Sequence, residues 1–101
     1  MNTKFKKKLR AIGHTLSPVV TIAGNGLSDA VLSEINRALD DHELIKLKIL
    51  GDKAERLGII AKLRDIDETE IIQVVGGVAL VYRQSRTANP KLSNVARADV
   101  L

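Results

Sequence analysis

The sequence predicts an α+β domain with two layers. A four-stranded mixed sheet carries helices on one face, in the order β-α-β-α-β-β after an N-terminal helix. Three observations lead there. Two β-rich stretches, "VVTI" and "LIKLKIL", are each followed by apolar residues at helical spacing. A final pair of β-rich runs, "IIQVV" and "VALVYR", flanks Gly76-Gly77 and reads as a hairpin. No internal repeat and no composition shift divides the 101 residues, so one core is expected.

The elements follow in chain order. Residues 3–12, "TKFKKKLRAI", form a short helix whose stripe is Phe5, Leu9 and Ile12, with Lys4, Lys7 and Lys8 off it in solvent. "GHTLSP" breaks it, and Pro18 opens an extended segment. "VVTI" (19–22) is a β-branched strand that stops at "AGNG". Ser28 is a suitable N-cap, and Asp29 suits the positive end of the helix dipole. The helix that follows should bury Val31, Leu32, Ile35, Ala38 and Leu39 and end near "DDHE". "LIKLKIL" alternates, with Ile45, Leu47 and Ile49 on one face and Lys46 and Lys48 on the other. Gly51-Asp52 turns into a third helix reaching about residue 65, with Ala54, Leu57, Ile60, Ala61 and Leu63 as its stripe and Gly58 weakening its middle. The acidic "DIDETE" leads to the hairpin. Periodicity fades after Gln84, so residues 1–84 are the domain and 85–101 a flexible basic tail. Right-handed connections place the two crossover helices on one face. The opposite face is then partly open, and Lys46 and Lys48 point from it.

Composition excludes several classes. Aromatic residues are 2% of the chain against 45% hydrophobic, so the core is aliphatic. Without cysteine there is no disulfide, thiol nucleophile or Cys-ligated zinc, which suits a reduced, cytoplasmic setting. The basic N-terminal segment lacks an apolar h-region, so no secretory signal is expected, and no run approaches the roughly 20 residues that span a bilayer. Charge comes in blocks: +5 over residues 1–27, −4 over 28–45, +4 over 46–64, −4 over 65–82 and +3 over 83–101. Such blocks can give a folded domain one basic side that suits a polyanion. A small basic domain can equally carry this charge without binding nucleic acid.

The catalytic inventory is thin. His14 is a loop residue with no nucleophile nearby in sequence, and His42 lies at a helix C-terminus, where a polar cap is the plain role. Asp40, Asp41 and Glu43 could approach a metal, but an acidic helix end is far commoner. No catalytic residues, metal site or cofactor are therefore assigned. The lysine-rich helix is too short and its stripe too weak for a membrane surface. "AGNG" is neither a dinucleotide fingerprint nor a P-loop. Either it only reverses the chain, with positive φ at Gly24 or Gly26, or its backbone N–H groups also meet a phosphate at the following helix N-terminus.

The stretch "LSPVVTIAGNGLSDAVLSEINRALDDHELIKLKIL" resembles the core of the CRM domain (chloroplast RNA splicing and ribosome maturation), and in particular its bacterial stand-alone YhbY-type members. Pro18-Val19-Val20, Gly26-Leu27-Ser28, "HELIK" (42–46) and "QVVGGVALVYR" agree in order and spacing over roughly residues 5–84. The resemblance implies a fold like the C-terminal domain of translation initiation factor three. It also implies binding of structured RNA without catalysis, with precursor rRNA in the pre-large-subunit particle as the partner. Plant members of the family assist group II intron splicing. Its Gly-x-x-Gly loop, analogous to the KH-domain backbone clamp, maps onto Ala23, Gly24, Asn25 and Gly26, with alanine at the first glycine. The expected RNA contacts are Lys4, Lys6, Lys7, Lys8 and Arg10 for phosphate attraction, that loop for backbone approach, and Lys46, Lys48 and Arg83 behind them. Tyr82 is the one candidate for base stacking, though a partly buried strand tyrosine is the plainer reading. A monomer is expected, with no membrane or small-molecule partner. The alternatives are a basic DNA-binding protein and a salt-insensitive protein-interaction adaptor on the ribosome.

Overall fold

A computed structural model describes residues 1–23 and 26–100, with no side-chain description at 99 and 100. The chain runs α1 (Thr3–Gly13), β1 (Pro18–Ile22), α2 (Asp29–His42), β2 (Leu44–Ile49), α3 (Lys53–Arg64), β3 (Glu70–Val75), β4 (Val78–Tyr82) and α4 (Asn94–Val100). The strand order is β1-β2-β4-β3. β1 pairs parallel with β2, while β4 pairs antiparallel with both β2 and β3. The sheet is thus mixed and four-stranded, with the buried β2–β4 pair at its centre.

α2 and α3 share one face, as the crossover rule requires. Val20, Ile22, Ile45, Leu47, Ile49, Ala79 and Val81 of the strands meet Ile35 and Leu39 of α2 and Ile59, Ile60 and Leu63 of α3. Full burial of each Val, Leu or Ile side chain among them is worth about 1.5–3 kcal/mol. Helix starts follow local chemistry. The Ser28 hydroxyl accepts from the Val31 N–H (3.2 Å), and Asp52 with Glu55 forms a reciprocal capping box. Those bonds to its ionised form, the Glu55 N–H foremost, hold the Asp52 carboxyl below its usual pKa. One stripe differs from the sequence expectation. α3 buries Ile59, Ile60 and Leu63, while Leu57 is 56% exposed and Ala54 and Ala61 also face solvent. "LGII" allows two helical phases, and packing against the sheet selects the one that buries two adjacent isoleucines.

The second face is partly covered. Leu9 of α1 is fully buried with Leu44, Leu80 and Ile72, flanked by Phe5, Ile12, Leu16, Tyr82 and Val95. The two aromatic rings, Phe5 and Tyr82, meet edge to face at 5.4 Å. Burial, and secondarily the Glu43 charge, push the Tyr82 phenol above its ordinary pKa. Gly13 allows α1 to close on the sheet, since a Cβ there would stand 2.6 Å from a Leu80 methyl.

The segment after Gln84, expected to be a flexible tail, is fixed to the domain. Its anchor is Glu43, a residue only 8% exposed. Ser85 N–H donates to Glu43 Oε2 (2.9 Å), and the buried Ser93 hydroxyl donates to Oε1 (2.7 Å). Ser93 Oγ also accepts from the Ala96 N–H, which starts α4. Asn94 Nδ2 donates to the Leu44 carbonyl (2.7 Å), and His42 Nδ1 donates to that of Leu92 (2.9 Å). The anchoring is polar, so it leaves no apolar periodicity to read.

Three stability tests follow from this packing. Ser93→Ala leaves a buried carboxylate oxygen one donor short, and urea unfolding should show a loss of about 1–3 kcal/mol. Gly77→Ala should cost about 1–3 kcal/mol through overpacking, because its Cβ would lie 2.8 Å from the Ile49 carbonyl oxygen. Gly58→Ala meets nothing within 4 Å and should raise stability by about 0.5–1 kcal/mol, as a glycine removed from a helix interior.

Candidate nucleic-acid interface

The second face of the sheet divides into a covered and an open half. α1 begins over Tyr82, through Phe5, and ends over Leu80, through Gly13. Beyond it two cross-strand rows lie in the open half, apart from Leu80, which Gly13 covers. One pairs Pro18, Lys46, Leu80 and Gln73, and the other pairs Thr21, Lys48, Val78 and Val75. Alternation along β2 turns Lys46 and Lys48 to this side and Ile45, Leu47 and Ile49 to the core. Lys46 is half-buried and Lys48 exposed.

The structure brings some of the expected contacts together and separates others. Lys4, Lys7 and Lys8 are exposed on the outer surface of α1, and Lys6 and Arg10 are half-buried at its flanks. These bases therefore share the sheet side of Lys46 and Lys48. Lys4 to Lys8 lie toward the Tyr82 end, and the helix C-terminus, with His14, borders Lys46. Arg83 leaves the group. Its guanidinium, 13% exposed, donates to Asn36 Oδ1 (2.7 Å), the Asn36 carbonyl (3.0 Å) and Asp40 (3.1 Å). It ties β4 to α2 and presents no free fork to a phosphate.

The glycine loop is partly described. Gly24 and Asn25 lie outside the described residues. Ala23 is exposed at the end of β1, and its carbonyl accepts from the Gly26 N–H at 2.9 Å. Gly26 has φ +74. This is a left-handed conformation, and a Cβ built there meets nothing within 4 Å. The loop follows Ile22, which is in register with Ile49, so it lies at the Lys48 end of the open rows.

The acidic end of α2 is committed to structure. Asp40 meets Arg83, and Glu43 holds the C-terminal segment. Among the described residues no group of three or more His, Cys, Asp or Glu is arranged to hold a metal ion. Sequence reasoning passed over Gln73 and gave His14 no role. Only the β3–β4 register, shifted by a bulge between Ile71 and Gln73, brings Gln73 beside Leu80. The Gly26 conformation is testable. Gly26→Asn, which tolerates left-handed backbone, should keep its melting temperature close to that of the parent. Gly26→Val should lose about 1–3 kcal/mol by denaturant unfolding.

Comparison with known proteins follows the same architecture. The CRS1/YhbY (CRM) domain model matches residues 1–83. A probable RNA-binding protein of Pseudomonas aeruginosa is 43% identical over 93 residues, covering 91% of this chain and 89% of that protein. An RNA-binding protein of Haemophilus influenzae is 40% identical over 94 residues, covering 91% and 94%. The solution structure of a hypothetical Staphylococcus aureus protein, described as a candidate RNA-binding protein, superposes with a TM-score of 0.72. It is 26% identical, and the match covers 85% of this chain and 91% of that one. Continuous matches of this length, on the same mixed sheet, identify the chain as a member of the CRS1/YhbY (CRM) domain family.

Proposed function

We propose that this domain binds structured RNA without catalysis, through the sheet side that carries α1, Lys46 and Lys48. One observation carries the reading: the lysines of the N-terminal helix and of β2 lie on one side of the sheet, while α2 with its acids lies on the other. Relatives named for RNA binding support the choice of polyanion. Lys4, Lys6, Lys7, Lys8 and Arg10 supply attraction that does not depend on sequence. The Ala23–Gly26 loop supplies a place where backbone approaches backbone. The RNA we infer is precursor rRNA of the large ribosomal subunit, bound by a cytoplasmic monomer that needs no cofactor.

The test is a salt titration. Affinity for a structured rRNA fragment should fall steeply with salt. Replacing Lys4, Lys6 and Lys7 with alanine should weaken binding and flatten the log–log slope by roughly 0.7–0.9 per lost contact. Equal binding of duplex DNA would favour a general DNA-binding protein. Salt-insensitive binding to ribosomal particles would favour a protein adaptor. Crosslinking in cells with sequencing of the bound RNA identifies the transcript, and an absence of large-subunit precursors would overturn the assignment to assembly.

A further inference from the structure

Between the C-terminus of α1 and the open rows of the sheet lies a cavity of about 290 Å³. We propose that it holds one unpaired nucleotide of the bound RNA, with its base on the sheet and its phosphate at Lys46. This rests on the RNA-binding reading above and adds to it a subsite that can read a base.

The walls carry the argument. Val75, Val78 and Leu80 form an aliphatic floor, and His14, Lys46 and Gln73 stand around it. Val75 is 65% exposed although it is β-branched and flanked by apolar neighbours. A planar base laid on this floor removes that surface from water. The chain has one Phe and one Tyr, packed on each other, so an aliphatic floor is the flat surface left to it. Gln73 offers a donor and an acceptor side by side, the pattern that matches an adenine edge. The bulge before Gln73 places it in register with Leu80. Among the described residues the side chains of His14, Lys46 and Gln73 make no hydrogen bond or ion pair, so their polar groups are available to a ligand.

Size and charge select the occupant. The volume lies at the lower edge of the ~300–1,000 Å³ typical of small-ligand clefts, which suits one nucleotide rather than two. The ammonium of Lys46, a half-buried residue, with Lys48 in the next row, favours an anionic ligand. A base inside an RNA duplex cannot enter, because its faces are stacked and its major-groove edge lies in a deep, narrow groove. The cavity therefore selects a loop, bulge or end.

The experiment compares two RNAs of equal length, a hairpin with an adenine-rich loop and a fully paired duplex. Binding to each is measured at fixed salt for the parent and for Gln73→Leu. Gln73 is exposed on an edge strand, so its replacement leaves the core intact, and a thermal melt checks this. The parent should prefer the looped RNA by about tenfold, a modest fraction of a stacked and hydrogen-bonded base. Gln73→Leu should lose that preference while keeping its affinity for the duplex and its salt slope. Adenosine monophosphate, titrated into the parent, should shift the amide signals of Gln73 and the methyl signals of Val75 and Val78. If both RNAs bind the parent equally and Gln73→Leu changes nothing, the subsite is wrong and RNA binding stands. If neither RNA binds, both readings fall.

Discussion

Glu43 joins four parts of the molecule through its backbone and its carboxylate. Its backbone N–H closes α2 on Leu39, and its carbonyl accepts from Arg83 as β4 ends. Its side chain takes one bond from Ser85 and one from Ser93. The residue has φ +61, a conformation unusual without glycine, and the surrounding bonds hold it there. A buried charge is costly unless its oxygens are satisfied. The segment after β4 is therefore required by the domain body. It supplies donors that no other described residue supplies to those oxygens.

That requirement explains how the sheet is covered. The chain has almost no aromatic surface to bury, so a single aliphatic layer under α2 and α3 leaves the second face needing cover. α1 provides it over Leu44 and Leu80, and the anchored segment brings Val95 of α4 to the same cluster. The half beyond Gly13 is left open. Lys46, Lys48 and Gln73 are there, and the glycine loop adjoins that end. Stability and recognition thus divide one face between them, and α1 serves both. Its inner stripe seals the core and its outer surface carries the lysines.

The elements that were legible in the sequence are those whose signal is local. Alternation in "LIKLKIL" set the two faces of β2, the Ser28 cap started α2, and Gly76-Gly77 marked the hairpin. What escaped depends on contacts distant in sequence. Leu57 and Ile59 are equally plausible on a helix taken alone, and packing against the sheet chooses between them. Arg83 looks like any surface base until Asn36 and Asp40, on a different helix, are brought against it. The C-terminal segment carried no apolar rhythm because its attachment is made by Ser85, Ser93 and Asn94. Of the candidate site, the lysines were visible as a run of like charge. Gln73 became visible only through strand register and a bulge.

The bond between Ser93 and Glu43 also has a consequence for synthesis. A ribosome releases the chain from its N-terminus, so every strand is complete before residue 93 has emerged. At that moment the sheet can pair and both crossover helices can dock, yet Glu43 still lacks its hydroxyl donor. The nascent domain then holds a carboxylate that water must solvate, which keeps the start of β2 and the end of β4 looser than in the finished molecule. Arrival of Ser93 expels that water and starts α4 with the same oxygen atom. Closure of the domain is in this way timed to the arrival of residue 93 rather than to formation of its sheet.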